Sequence, residues 1–308
     1  MRDSASINAI SVKGQPMNRE DEIASPWRYI QAETYATLCK SKAPTYSLEI
    51  LNMPVIYPSC AETRAYKTYF SHLKSIGIGL AGEPFGAVIK TAQEPHLNSY
   101  LRLSEALFGH LNSVTELAFY AHGRLPMEYF GSAGTFRSLK RVDLRNLVVD
   151  DRLICFLADK AQQLESIVLG DCFACVRLTT TRTPPTWGDL FAGLVSSEPK
   201  NLTRFEIVHV VDMNITLSPS NIINMKSTEP FEMDIVGKVK EAMEEGRNLV
   251  FWYAMSKNSR SRANQARLLT MKAYLKGEDW GAWKALREAV EGNVRRKAHE
   301  ARDSRKWD

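Results

Sequence analysis

The sequence lacks a long hydrophobic run, an export signal and a framework of paired cysteines. No window approaches the roughly 18 consecutive apolar residues that a membrane-spanning helix needs. The polar start Met1-Arg-Asp-Ser lacks the charged-then-apolar order of a secretory signal. The 308 residues include five cysteines, an odd number that does not favour a set of disulfides. We therefore expect a soluble protein of the cytoplasm or nucleus with reduced thiols.

Motifs of catalysis and cofactor binding are also scarce. There is no Gly-Lys-Ser/Thr phosphate loop and no Gly-x-Ser-x-Gly elbow. Residues 77–82 have the Gly-x-Gly-x-x-Gly spacing of a dinucleotide site, yet Ile76, Ile78 and Leu80 alternate through them as in a strand. Cys172 and Cys175 are spaced as half of a zinc site, but no second pair of ligands accompanies them. We predict that the chain is not an enzyme and holds no cofactor and no metal.

The positive charge of the chain is concentrated near its C-terminal end. The net charge is +5, and residues 257–308 hold 14 Lys or Arg against 7 Asp or Glu. A basic segment attracts nucleic acid without sequence preference. The alternative function is therefore a nucleic-acid-associated protein acting through its basic C-terminal helices, although a solvated helix explains the same charge.

A recurring apolar pattern is the most informative feature. Two apolar residues separated by one position follow a third apolar residue three places earlier. The five copies are Leu73-Lys-Ser-Ile76-Gly-Ile78, Val114-Thr-Glu-Leu117-Ala-Phe119, Leu139-Lys-Arg-Val142-Asp-Leu144, Leu164-Glu-Ser-Ile167-Val-Leu169 and Leu202-Thr-Arg-Phe205-Glu-Ile207. The steps between copies are 41, 25, 25 and 38 residues. The middle two lie within the leucine-rich-repeat range of about 20–29 residues.

The pattern predicts short strands that alternate with helices. Alternating apolar residues bury one face of a strand, and a helix between strands returns the chain to begin the next parallel strand. Asp150 is placed to cap one helix, and Thr186 with Asp189 has the spacing of a capping box for another. The predicted fold is an α/β, leucine-rich-repeat-like solenoid of parallel short strands alternating with helices, capped by C-terminal helices.

Three regions follow from this reading. Residues 1–24 show no periodicity and are expected to be disordered or loosely attached. Residues 25–255 form the solenoid, beginning with a helix whose first-turn proline is Pro26. Residues 256–308 form a basic helical cap and tail, in which Gly277 separates two amphipathic helices.

Particular segments also resemble a known family. These segments are residues 136–147, the unit from Leu164 to Cys172 with the helix from Trp187 to Phe191, and the closing residues 277–293. Over roughly residues 70–295 the chain resembles fungal F-box-like proteins with irregular leucine-rich repeats. That resemblance implies repeats that present a substrate to a cullin-RING ubiquitin ligase. Residues 1–60 contain no recognisable F-box, so a ubiquitin-ligase adaptor is an expected partner only if an F-box lies hidden or upstream.

The predicted function is protein–protein interaction, and the resemblance implies that the chain is the substrate-recognition part of an F-box-type ubiquitin ligase adaptor. Solenoids offer extended surfaces formed by the exposed positions of successive strands. Six polar residues occupy such positions and form the candidate partner-binding surface: Lys140, Arg141, Asp143, Arg145, Glu165 and Ser166. The partner itself is not identified by the sequence.

Overall fold

A computed structural model provides the structure of the chain. It describes residues 19–24, 26–41, 45–53, 58–80, 107–125, 135–176, 185–208, 237–239, 241–242, 244, 251, 253–255 and 270–304. The chain divides into two compact units. The first comprises Met1–Gly123 with Met127–Val142, and the second comprises Arg124–Pro126 with Asp143–Asp308. None of the described helices is long and apolar enough to cross a membrane.

The first unit alternates helices and parallel strands. Its elements are α1 (Arg19–Ile23), α2 (Pro26–Lys40), β1 (Ser47–Met53), a 3-10 turn (Ser59–Glu62), α3 (Arg64–His72), β2 (Ser75–Leu80), a second 3-10 turn (Phe108–His110) and β3 (Glu116–Leu125). Strand β2 pairs in parallel with β1 and with β3. Ile78 lies opposite Ile50 on one side and opposite Phe119 on the other.

The second unit repeats this alternation. Its elements are β4 (Arg141–Val149), whose first two residues belong to the first unit, α4 (Asp151–Lys160), β5 (Ser166–Gly170), β6 (Phe173–Val176), α5 (Trp187–Ser196), β7 (Arg204–Val208), β8 (Tyr253–Met255), a helical segment at 270–276 and α6 (Glu278–Ser304). Strand β5 lies between β4 and β7. Strand β6 pairs in parallel with the end of β4 and with β8. An α/β arrangement of parallel strands, helices and C-terminal helices is therefore confirmed.

The predicted helix starts are also confirmed. Helix α2 begins at Pro26. The Asp150 side chain accepts a hydrogen bond from the Leu153 N–H at 2.8 Å, which satisfies one free amide at the start of α4. Thr186 and Asp189 form a full capping box for α5. These helices begin where short-range signals in the sequence place them.

The apolar pattern accounts for most of the strand core. The leading residue of every copy is fully buried: Leu73, Val114, Leu139, Leu164 and Leu202. The two alternating residues that follow are at most 2 % exposed in the first four copies. In the fifth copy Phe205 and Ile207 are only half-buried. The pattern therefore identifies the inward positions correctly, but the last strand is covered less completely than the others.

At four places the backbone oxygen immediately before a strand sets the register of the following copy. The carbonyl of Lys74, immediately before β2, accepts the N–H groups of Thr115 and Glu116 at 2.8 and 3.1 Å. In the second unit the carbonyl of Glu165, immediately before β5, accepts those of Thr203 and Arg204 at 3.0 and 3.2 Å. The carbonyls of Tyr46 and Thr115 act in the same way on the following copies. The same junction thus recurs in both units.

The 25-residue spacing extends beyond the strand core in the second unit. Asn146 and Asp171 both adopt positive φ angles, 58° and 49°, two residues after the last apolar residue of their copies. Asn and Asp tolerate this left-handed conformation better than most residues. The chain bends there, and Val148 then pairs in parallel with Phe173. In these two copies a strand is therefore followed by a bend and then by a short segment that pairs with its counterpart in the other copy.

The segment before Pro26 is more ordered than the sequence indicates. Residues 19–23, expected to be loosely attached, form α1, and the buried Glu22 carboxylate accepts hydrogen bonds from the Ser59 N–H and hydroxyl at 2.6 Å each. A side chain buried among polar partners fixes this helix without any apolar periodicity. At the other end of the chain, α6 packs on α5 within the second unit.

Candidate functional site

The six residues of the candidate surface lie on or just before strands. Lys140 and Arg141 are exposed and belong to the first unit. Asp143, Arg145, Glu165 and Ser166 are half-buried and belong to the second. Part of this surface belongs to a larger one that we call the strand face. It lies entirely within the second unit and is defined by Asp143, Arg145, Ser166, Val168, Gly170, Arg204 and Glu206.

In the first unit Arg141 is paired with a strand neighbour. Its Nη1 donates to Glu116 Oε1 at 2.7 Å, and the two side chains are 59 % and 46 % exposed. Exposed pairs of this kind contribute little to stability because water and salt screen them. They instead fix the arrangement of charge that an approaching molecule meets.

On β4 an arginine is held flat by the acid two residues before it. Arg145 Nε and Nη2 donate to the two carboxylate oxygens of Asp143 at 2.9 and 2.8 Å. The stem of Arg145 crosses Gly170 of β5, where an added Cβ would lie 2.7 Å from its Cγ. Only a glycine leaves room for this approach. The guanidinium is therefore positioned by two contacts before any partner binds.

The positions of β5 that face away from Ile167 and Leu169 carry small, uncharged residues; Ser166 and Val168 are half-buried, and Gly170 is buried beneath Arg145. Ser166, Val168 and Gly170 alternate with the buried Ile167 and Leu169. We call Ser166, Val168 and Gly170 the neutral lane. Because neighbouring strands lie about 4.8 Å apart, this lane separates the charged side chains of β4 from those of β7 by about two strand spacings. The strand face therefore has a neutral lane bordered by charge pairs.

The sequence analysis did not identify the charge pair on β7, on the other side of the neutral lane. Arg204 Nε and Nη2 donate to Glu206 Oε1 and Oε2 at 2.8 and 2.7 Å. The hydrogen bond to Arg204 lowers the pKa of Glu206 and raises that of Arg204. Both residues occupy the same positions in the fifth copy of the pattern as Arg141 and Asp143 occupy in the third. Aligning the fifth copy with the third therefore predicts this pair from the sequence.

Some basic side chains of the C-terminal helix α6 form hydrogen bonds within the chain. Arg296 donates to the Lys200 carbonyl, Lys297 Nζ donates to the Asn201 carbonyl at 3.1 Å, and Asn293 Nδ2 donates to the Leu202 carbonyl at 3.0 Å. These donors face the loop between α5 and β7, and α6 continues to Ser304. Through these contacts α6 is docked on that loop.

A buried polar cluster joins α6 to the start of α5. Asp279, only 5 % exposed, accepts from the Gly188 N–H and from the Tyr253 hydroxyl, both at 2.7 Å. Burial raises the pKa of Asp279 above its ordinary value. Because its two oxygens accept from Gly188 at the start of α5 and from Tyr253 of β8, the Asp279 carboxyl links α6 to both elements.

The glycine motif lies partly in a strand, and Cys172 lies in the core. Strand β2 runs through Gly77 and Gly79, as the alternating apolar residues predict. Cys172 is buried, its thiol lies 3.5 Å from the Leu144 carbonyl oxygen, and burial raises its pKa to about 12. Among the described residues no group of three or more His, Cys, Asp or Glu side chains is arranged to hold a metal ion. His209 and Asp212, which are close in sequence, lie outside the described residues.

Comparisons with known proteins do not assign the chain to a family. No protein-family model, no curated protein and no solved structure matches it.

Proposed function

We propose that the chain is a leucine-rich-repeat-like solenoid that binds a protein partner through the strand face and performs no catalysis itself. The observation that carries this proposal is the repeated junction at the strand starts, where one carbonyl accepts two N–H groups of the following copy. A repeated junction keeps the outward positions of neighbouring strands in register. Solenoids use such registered positions as binding surfaces.

The chemistry of the strand face favours a folded protein over a polyanion. Each arginine on it is paired with a carboxylate, Arg145 with Asp143 and Arg204 with Glu206. Nucleic acid binds through unneutralised cations. A surface of balanced charge around a neutral lane instead suits a partner of mixed polarity, because interfaces combine an uncharged centre with a polar rim.

The resemblance to fungal F-box-like proteins extends this proposal to a biological role. On that analogy the bound protein is a substrate for ubiquitin transfer, and the strand face is the recognition part. A ligase adaptor would join the complex only through an F-box, which residues 1–60 do not provide in recognisable form.

Affinity capture with matched variants tests the proposal. Val168→Arg places a long cation in the neutral lane, whereas Cys155→Arg places the same group at an exposed position of α4. A protein retained by the full-length chain and by Cys155→Arg, but lost with Val168→Arg, would support the strand face as the interface. Equal retention by both variants would contradict it.

The captured material also tests the ligase role. Recovery of a ubiquitin-ligase adaptor together with the partner would support it. Recovery of the partner without an adaptor would remove the ligase part and leave a recognition module.

A further inference from the structure

We propose that the groove between β7 and α6 binds an extended, uncharged segment of a partner protein, which adds to the edge of β7 as a further strand. The groove shares Arg204 and Glu206 with the strand face but does not include the neutral lane of β5, and it does not depend on the function proposed above. The groove has a volume of about 320 Å³ and lies wholly within the second unit.

The floor of the groove is apolar and aromatic. Phe205 of β7 and Trp283 of α6 lie with ring centroids 5.5 Å apart, and Leu286 and Val290 continue the surface along the helix. Phe205 remains half-buried, although its counterparts in the other copies are at most 2 % exposed. Apolar surface is therefore left at this point, and Trp is among the residues that dominate binding energy at interfaces.

The edge of β7 supplies hydrogen-bonding groups beside that floor. The Arg204 N–H points towards β5, since it donates to the Glu165 carbonyl. Successive N–H groups of a strand point to opposite edges, so those of Phe205 and Ile207 point away from β5. Among the described residues, β5 is the one strand that pairs with β7. An extended peptide matches such an edge because its own backbone alternates in the same way.

The charges at the rim cancel. Arg204 pairs with Glu206, and Arg287 Nη2 lies 3.0 Å from Glu291 Oε1. Two arginines and two glutamates that neutralise each other give no preference for an anionic or a cationic ligand. Recognition would therefore depend on backbone hydrogen bonds and apolar side chains.

The size of the groove favours peptide side chains over a cofactor. Sites for drug-sized ligands span about 300–1,000 Å³, so this volume is at the lower limit. An open groove beside a strand edge suits one or two side chains of a longer segment. We therefore infer an uncharged peptide with apolar residues at alternate positions.

Selection from a phage-displayed library of random short peptides tests the site with the full-length chain. We expect enrichment of uncharged sequences in which apolar residues alternate. A synthetic consensus peptide should bind, and the same peptide N-methylated at alternate amides should bind at least roughly tenfold more weakly. An enriched sequence that is strongly charged, or one that tolerates N-methylation, would overturn the proposal, as would the failure to enrich any sequence.

Two substitutions on the same helix provide the matched control. Val290 lines the groove, whereas Val294, one turn further and 46 % exposed, does not. Val290→Glu should weaken the consensus peptide by at least roughly tenfold, and Val294→Glu should leave its affinity within about twofold. Equal binding by the two variants would place the peptide elsewhere. Val168→Arg should not affect this peptide, which separates this test from that of the strand face.

Amide hydrogen exchange measures the site without any substitution. In the free chain the N–H groups of Phe205 and Ile207 should exchange faster than that of Glu206, and the peptide should slow them. If both are already as protected as Glu206 before peptide is added, the edge is occupied by the chain itself or by a second copy, and the proposal fails.

Discussion

Strands β5 and β7 carry the same apolar pattern but are buried to different depths. Ile167 and Leu169 of β5 are fully buried, whereas Phe205 and Ile207 of β7 are half-buried. Strand β5 has β4 on one side and β7 on the other. Strand β7 is contacted by β5 and by α6. The comparison shows that the pattern determines which side chains point inward, while the neighbouring elements determine how much surface they lose.

Alanine substitutions at equivalent positions give the largest expected difference between the two strands. Leu169→Ala should lower the free energy of unfolding by about 2–5 kcal/mol, because it leaves a cavity in a packed core. Ile207→Ala should lower it by clearly less, because a half-buried side chain gives up less apolar surface. Urea denaturation followed by tryptophan fluorescence measures both. Equal losses would show that β7 is packed as tightly as β5.

The second prediction concerns the attachment of α6, the helix beside β7. Asp279→Ala removes the acceptor for the Gly188 N–H and for the Tyr253 hydroxyl. We expect a loss of about 1–3 kcal/mol, since buried donors remain without an acceptor. Glu288→Ala changes an exposed residue of the same helix and should stay within about 0.5 kcal/mol. A similar, small effect for both would contradict the anchoring role.

The same carboxyl gives a pH dependence of defined sign. Burial raises the pKa of Asp279 above its ordinary value of 3.8, so the folded chain binds its proton more tightly than the unfolded chain. Its contribution to stability should therefore fall as pH rises from about 3.8 through the raised pKa. The stability of the native chain relative to Asp279→Asn, measured by urea denaturation across this interval, should decrease with pH. A stability difference that increases with pH would contradict a raised pKa for Asp279.

The smallest effect is expected on the exposed side of the sheet. Asp143→Asn breaks the two-point contact with Arg145, yet partly exposed pairs contribute only about 0.2–1 kcal/mol. The loss should shrink further as salt is added, because salt screens exposed charge. Denaturation at low and high ionic strength measures both effects. A loss as large as that of Leu169→Ala would make this pair part of the core.

The sequence predicts what short-range patterns determine. The alternating apolar pairs locate β2 to β5 and β7, and the caps at Asp150 and Thr186 locate two helix starts. Each of these features depends on residues within a few positions of one another. The parallel pairing then follows from the strand–helix alternation, since parallel neighbours need a crossover.

What the sequence did not predict depends on residues far apart along the chain. The anchoring of α1 requires Glu22 to meet Ser59, and the place at which the predicted cap helix α6 attaches requires Asn293 to meet Leu202. Neither pair is joined by a periodic pattern. At the candidate site, the strand pattern predicts that Asp143 and Arg145 face outward, but the role of Gly170 beneath Arg145 emerges only when the two strands are side by side.

The carbonyl junction at the strand starts explains how copies of unequal length remain compatible. Because the junction reaches only the residue before the next strand and that strand's first residue, the connecting chain can lengthen without shifting the ladder. The spacing between copies accordingly ranges from 25 to 41 residues. Loop-closure entropy grows only slowly with length. Insertions between strands are therefore a route by which such a chain can acquire new surface loops while its core stays unchanged.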